Sequence, residues 1–519
     1  MKKHAFTLVF LLSAVGSFAG NITFSGQVAN IIYNNCTSCH RPGAIAPFTL
    51  TSYEDVFNNR FAIAGVLQNQ TMPPWSPNPN YTHFANERTL TPQQIGEINE
   101  WLLTGAQRGD VATEPQPPVF NDGPQLPNPD FSKKIETHTV TTNTDDFELF
   151  ALQSDLTQDA MIKQIELLPG NRQIVHHIFV FLDSTGDFKR SMDNGNTSLT
   201  TFAGNNYISG GTMSELKLIG GWLPGGNSLS TPDNMGYRVP AGSWYILQIH
   251  YAPGSNGQSD ATTLNLKYDA NAAHRQMDMK PLLDNVENMS DGPIFIPANT
   301  TKTFHEQFTV PDDISLISIT PHMHKIGKHM KVVAFAGGST ADTIRLVDDR
   351  WDFHWQGMYT FPKVVHLHAG DVIWAEGFYD NTVNNHDNPF YPIQDIQAGT
   401  STLTEMMQVF FCFTPYQTGD ENIVLSDNIP SLTDLNSCSV FPNPVTNGQT
   451  LSVSVDPHVV INSVAVYSID GRLLQTYLAP FISNEMDVKL PQLANGMYIL
   501  QVTNAEATIR KKILVNNVD

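Results

Sequence analysis

At 519 residues the chain is long enough for three or four domains. Charged residues make up only 15% of it, while 35 Gly and 33 Pro accompany plentiful Thr and Asn, a composition of extracellular all-β proteins. The formal charge of −21 argues against nucleic acid or an anionic membrane as partner. Four cysteines are too few to stabilise so long a chain, so large β cores must do it.

Met1-Lys2-Lys3-His4 is a basic start, Ala5 to Val15 is mostly apolar, and Ser17-Phe18-Ala19 is a small-x-small cleavage site. Residues 1–20 read as a secretory signal peptide, too short for a membrane anchor. No later stretch reaches the length of a membrane span. No cysteine follows the apolar run, so no lipid anchor is expected.

Residues 21–110 read as helices. Val28 to Asn35 leads into Cys36-Thr37-Ser38-Cys39-His40, Tyr53 to Leu67 is amphipathic, and Thr91-Pro92 opens a helix with apolar Ile95, Ile98, Trp101 and Leu102. The Cys-x-x-Cys-His pentad attaches a c-type haem: two thiols three residues apart reach both vinyl groups, and the next histidine sits under the iron. A zinc half-site is the rival reading, but no second Cys-x-x-Cys follows. In Thr71-Met72-Pro73-Pro74-Trp75, the proline-flanked Met72 suits the second axial ligand. Its rivals are a core methionine at 72 and His83 as the ligand. The segment resembles a small class I cytochrome c domain, implying one covalent haem c.

Residues 111–130, with Glu-Pro-Gln-Pro-Pro and further Pro steps, read as a stiff linker. Residues 131–430 show short β-branched and aromatic runs broken by Gly, Pro, Asn and Asp, such as Gln173 to Leu182 and Trp244 to Tyr251. These predict two antiparallel β-sandwiches, 131–280 and 281–430, with a junction near 275–295. Residues 438–519 read as a further β module with a turn at Asp470-Gly471. Cys412 in an apolar run and Cys438 in a linker are left for an optional pairing.

Histidines punctuate the β region. His176 and His177 lie inside Ile174-Val175-His176-His177-Ile178, where adjacent imidazoles are costly unless satisfied. In a regular strand they face opposite sides, so one ion can bind both only with a twist or bulge. His250 lies in Gln248-Ile249-His250-Tyr251. His322 and His324 are two apart and can chelate one ion, and Met406 offers a thioether that favours copper(I) over zinc. Each signal alone is weak: buried histidines are usually hydrogen-bonded core residues, and His366 with His368 repeats the His-x-His pattern.

The order His-His, His-Tyr, His-x-His, Glu-Met resembles the copper type II, ascorbate-dependent monooxygenases, the family of peptidylglycine α-hydroxylating and dopamine β-monooxygenases. Gly221-Trp222-Leu223-Pro224-Gly225, Gly327 after the His-x-His and Trp355-Gln356 join the resemblance, which covers about residues 140–420. It implies two jelly-roll domains with one copper each. By that resemblance His176, His177 and His250 hold an electron-transfer copper. His322, His324 and Met406 hold the copper that activates oxygen and form the catalytic set, Met407 being the alternative to Met406. The animal enzymes carry disulfides that this chain lacks, and no counterpart of their substrate-binding residues is identified.

The C-terminal module resembles the type A sorting domain of type IX secretion in Bacteroidota, on Phe441-Pro442-Asn443-Pro444, Val466 to Arg472, Leu493 to Tyr498 and Lys511-Lys512. A generic adhesive sandwich is the alternative.

The expectation is a multidomain, mainly β protein, exported through the periplasm to the cell surface or beyond. It hydroxylates an organic substrate with O2, using two coppers and electrons from an external donor through the haem. A non-catalytic haem and copper carrier is the alternative, and an oxidase or peroxidase a weaker third option.

Overall fold

The computed structural model describes residues 22–516 except 80, 86, 196–215, 227, 270–273, 286–287, 341–342, 400, 427–437, 456–460, 470, 484 and 504–507. The expected signal peptide lies outside the described residues, as does Asp470 of the expected C-terminal turn. The fold is mainly β, 43% strand against 12% helix. Among the described residues no helix is long and apolar enough to cross a membrane.

Short helices at Ala29–Asn35, Tyr53–Asn58, Arg60–Gln68 and Pro92–Leu103 enclose a core of Phe24, Ile32, Val56, Ile98 and Trp101. The last helix begins with a capping box, in which Thr91 and Gln94 satisfy each other's backbone N–H.

The first β region pairs two sheets over one core. One sheet runs Asp146–Gln153, Trp244–Tyr251, Val175–Asp183, Leu216–Trp222, all antiparallel. The other centres on Thr263–Asp269, Ala160–Leu168 and Met235–Val239. In the second region one sheet runs Thr300–Thr309, Val372–Asn381, Gly327–Phe335, Thr343–Asp349, and the other Asp278–Asp284, Gln408–Pro415, Ile314–His322, Tyr359–Leu367. Along Val372–Asn381 buried and half-buried residues alternate strictly, as a strand with one core-facing side requires.

Ile314–Thr320 instead is buried on both faces. Leu316 and Ile319 enter the second core, while Ile317, with Met277, Met279 and Cys412, enters the first. This sheet is a wall common to both cores, so the two regions form one continuous body. The expected division at 280/281 falls inside the strand Asp278–Asp284, which pairs with Gln408–Pro415. Cys412 and Cys438 are both free. The Cys412 Sγ meets the Tyr237 hydroxyl at 3.2 Å across the wall, and Cys438 lies in the C-terminal core rather than in a linker.

The Pro-rich 111–130 segment is laid along the first region. The buried Glu166 carboxylate accepts from the backbone N–H of Gln125 (2.7 Å) and Leu126 (3.1 Å), and Arg41 pairs with Asp122. Residues 75–85 leave the helical unit to pack on the second region. Trp75 and Phe84 join its core against Tyr359, and the Asn78 N–H donates to the Asp348 carbonyl at 2.7 Å. Two sheets of residues 439–515 form a separate C-terminal core.

Candidate metal centres and the pentad

The first centre is built at a strand irregularity. Val175–Asp183 pairs Val175 with Tyr251 and His177 with His250, and the register shift between them leaves His176 as an extra residue. This is the bulge that the sequence demanded before adjacent histidines could share one ion. The Nδ1 atoms of His176 and His177 are 3.4 Å apart, as are those of His177 and His250. Two nitrogens each about 2.0–2.1 Å from a tetrahedral ion stand about 3.3–3.4 Å apart, so this spacing suits a metal.

The tautomer agrees. His250 donates from Nε2 to Asp145 at 2.8 Å, leaving Nδ1 as a lone pair. That hydrogen bond holds the Asp145 carboxyl below its usual range. Phe147 stacks on His250 at 4.1 Å and 3°, fixing the ring plane. Burial pushes His176 down to about 4 and His177 well below its ordinary value, so both are neutral ligands at pH 7.

The second centre sits where the strand Ile314–His322 ends. His322 pairs with Gln408 in antiparallel register, the last rung of that ladder. The Glu405 carboxylate closes the turn, accepting from the N–H of His324 (2.9 Å), Ile326 (2.8 Å) and Met406 (3.2 Å). His322 Nδ1 faces Gln356 Oε1 at 3.1 Å, and His324 Nδ1 faces the Thr404 carbonyl at 2.8 Å. Donating there, both rings keep Nε2 as the free ligand atom. Burial depresses His322 to about 3 and His324 to about 4.

Met407 is fully buried in the second core, its sulfur against Gly377, whereas Met406 is half-buried and has its carbonyl held by the Tyr379 hydroxyl at 2.8 Å. Of the two methionines, only Met407 is packed in the second core. Beyond burial, His322 lowers His177 a little further, and Lys325 and His354 of the second region lower Asp145. His366 and His368 are engaged elsewhere, His366 stacked on Tyr416 and paired with Asp313.

The pentad forms a helical turn, the His40 N–H bonding the Cys36 carbonyl at 2.9 Å, with both thiols free. His40 Nδ1 faces the Phe48 carbonyl at 3.1 Å, leaving Nε2 for an axial bond. Burial pushes the Cys36 thiol up to about 12. Met72 lies at the surface, 42% exposed, and His83 is engaged with Glu87 at 3.0 Å. Arg88 donates to the Pro224 carbonyl at 2.9 Å, lies over the Trp355 ring, and stands beside Cys39.

The sequence reading missed Asp145, Phe147 and Arg88 and assigned no role to Glu405 or Gln356. The Asp145-Asp146 doublet before an alternating strand was the available signal for the first. Arg88 carried none, because its partners are far along the chain.

No curated protein matches the chain. Among solved structures, PNGF-II aligns with 8% identity over 54% of this chain and 65% of its own, TM-score 0.25. A peptide-N(4)-(N-acetyl-β-D-glucosaminyl) asparagine amidase aligns with 10% identity over 55% and 97%, TM-score 0.23. At these scores neither bears on fold or activity. Residues 439–516 match the secretion system C-terminal sorting domain, which indicates a secreted or cell-surface protein and the type IX machinery as partner. Residues 296–421, which contain His322, His324 and Met406, match the family model of the copper type II ascorbate-dependent monooxygenase C-terminal domain, a similarity that suggests a copper-dependent oxidoreductase.

Proposed function

We propose that the chain is an exported copper monooxygenase that carries its own c-type haem and hydroxylates an organic substrate with O2. The observation that carries this reading is the convergence of three imidazole nitrogens from His176, His177 and His250 at one bulge. The copper-monooxygenase match over the segment that holds His322, His324 and Met406 supports it. When bound, two coppers would supply one-electron chemistry and oxygen activation at the thioether side, and the haem would relay electrons from an external donor. In this reading His176, His177 and His250 hold one copper, His322, His324 and Met406 the other, and Cys36, Cys39, His40 and Met72 the haem. The units would be a haem domain at 21–110, two jelly-roll sandwiches within 131–430 that meet at the strand Asp278–Asp284, and a sorting domain at 438–519.

The chain's own residues perform the preparation. Asp145 orients His250. Gln356 and the Thr404 carbonyl hold the second pair of rings by Nδ1, and Glu405 ties their turn to the Met406 strand. Burial keeps His176, His177, His322 and His324 unprotonated and ready to bind. Arg88 anchors the pentad side to the Pro224 and Trp355 loops.

The test is metal and haem analysis of the purified mature chain, then reaction of the reduced protein with ¹⁸O-labelled oxygen. Two coppers and one covalent haem, with label entering a candidate substrate, are expected. His322→Ala should lose one copper and keep the other. Reoxidation by a protein acceptor but not by oxygen would replace the monooxygenase with an electron carrier.

A further inference from the structure

Behind the first centre the same strand builds a second donor set. In Asp146–Gln153 alternate residues face opposite sides. Phe147, opposite His250 in the ladder, faces the three-histidine centre. Asp146, opposite Tyr251, and Glu148 therefore face the other way. His138, from the short strand His138–Thr139, meets them there. Its Nε2 is 3.5 Å from the Asp146 carboxylate, and ligand atoms of His138, Asp146 and Glu148 all lie within 4.8 Å of one another.

We propose that His138, Asp146 and Glu148 form a third metal site, one for a divalent cation of the zinc class. One imidazole nitrogen and two carboxylate oxygens are a borderline donor set that suits zinc, with water completing the coordination.

Three features favour a cation over a simple ion pair. The first is charge: two carboxylates stand on one half-buried face with a single imidazole between them. Among the described residues no lysine or arginine pairs with either, and Glu148 has no hydrogen-bond donor. Burial and the neighbouring Asp146 accordingly push the Glu148 carboxyl up. A divalent ion removes that cost and a histidine alone does not. The second is pre-organisation. The His138 ring is stacked on Tyr251 at 5.2 Å and 20° and lies edge-on to Phe150 at 5.8 Å, while the Tyr251 hydroxyl is tied to Asp260. The ring plane is thus fixed by aromatic packing as well as by the Asp146 carboxylate. The third is accessibility, since the His138 and Asp146 side chains keep 20% and 16% exposure, room for water ligands on the ion.

The site has a consequence for the first centre. An ion there clamps His138 to the strand at Asp146 and Glu148. Asp145 and Phe147, which orient His250, flank Asp146 in the same strand. Filling the rear face therefore restrains the two groups that position a ligand of the front face.

The experiment uses the full mature chain, copper-loaded and freed of excess copper, titrated with zinc by calorimetry and counted for zinc after gel filtration. One further zinc per chain is expected. Glu148→Gln should weaken it at least tenfold and abolish the zinc-dependent rise in melting temperature, while melting like the parent without zinc. His138→Gln should do the same and decides the matter if Glu148→Gln does not fold. His322→Ala should retain the site. The inference does not depend on the copper reading, because in metal-free chain Glu148→Gln should lower total zinc by one equivalent whatever the other histidines bind. No additional zinc in the parent, or zinc affinity unchanged from the parent in both variants, would overturn it.

Discussion

Two adjacent methionines show how residue-level environment separates function from packing. Met407 points into the second core and Met406 does not. Met407→Ala should cost about 2–5 kcal/mol of stability, the range for a fully buried methionine, with copper count unchanged in the protein that remains folded. Met406→Ala should leave urea unfolding within about 0.5–1 kcal/mol of the parent and weaken one copper site. Reversed results would move the thioether to position 407.

The buried histidines also set a pH dependence in the metal-free chain. His322, depressed to about 3, and His176 and His324, to about 4, stay neutral when folded, while unfolded imidazoles titrate at 6.5. Between pH 6.5 and about 4 the unfolded chain binds more protons, so stability falls as pH falls, by up to about 1.4 kcal/mol per pH unit for each group. Glu405, raised by burial to about 8, acts oppositely and weakens the fold as pH rises from its ordinary 4.5. Denaturant melts from pH 6.5 to 4.5 should show a shallower slope in His322→Gln than in the parent. An identical slope would mean that His322 titrates normally.

At the scale of elements, both centres depend on strand irregularities. The bulge at His176 turns a residue that a regular strand would send to the far face toward its neighbours. The His-x-His turn needs Gly327, since a Cβ there would stand 2.6 Å from the Met323 Cβ, a contact that no side-chain rotation relieves. Gly327→Ala should therefore destabilise by about 1–3 kcal/mol and lower copper occupancy at His322 and His324, with the three-histidine centre still filled. Electron paramagnetic resonance of the copper-loaded variant measures this, and two intact copper signals would show that the turn tolerates the methyl group.

At the scale of the whole molecule, the shared wall and the 75–85 segment join helical unit and both β regions into one body. The C-terminal residues 439–516 have their own core and match a sorting domain. Deleting 438–519 should leave the rest of the protein folded and retained in the periplasm. Cell fractionation checks this; undiminished secretion would remove the sorting role.

Local patterns were legible without a structure. The alternation of the β runs is a short-range pattern that the strands follow, and the histidines singled out at 176, 177 and 250 are brought together by the fold. The sequence alone left Met406 and Met407 open and demanded a bulge at His176 that it had no means to locate. Tertiary structure decided what depends on contacts between distant segments. Glu405 reaches the turn at 324–326, Asp145 reaches His250, and Arg88 reaches Pro224 and Trp355. It also turned an expected spacer into a packed segment, because the buried Glu166, held at one carboxylate oxygen by Asn265, takes the backbone N–H of residues 125 and 126 at the other. Such partners are chosen by burial and by the demand that every buried polar group be satisfied. That demand acts between surfaces that exist only once the chain has folded.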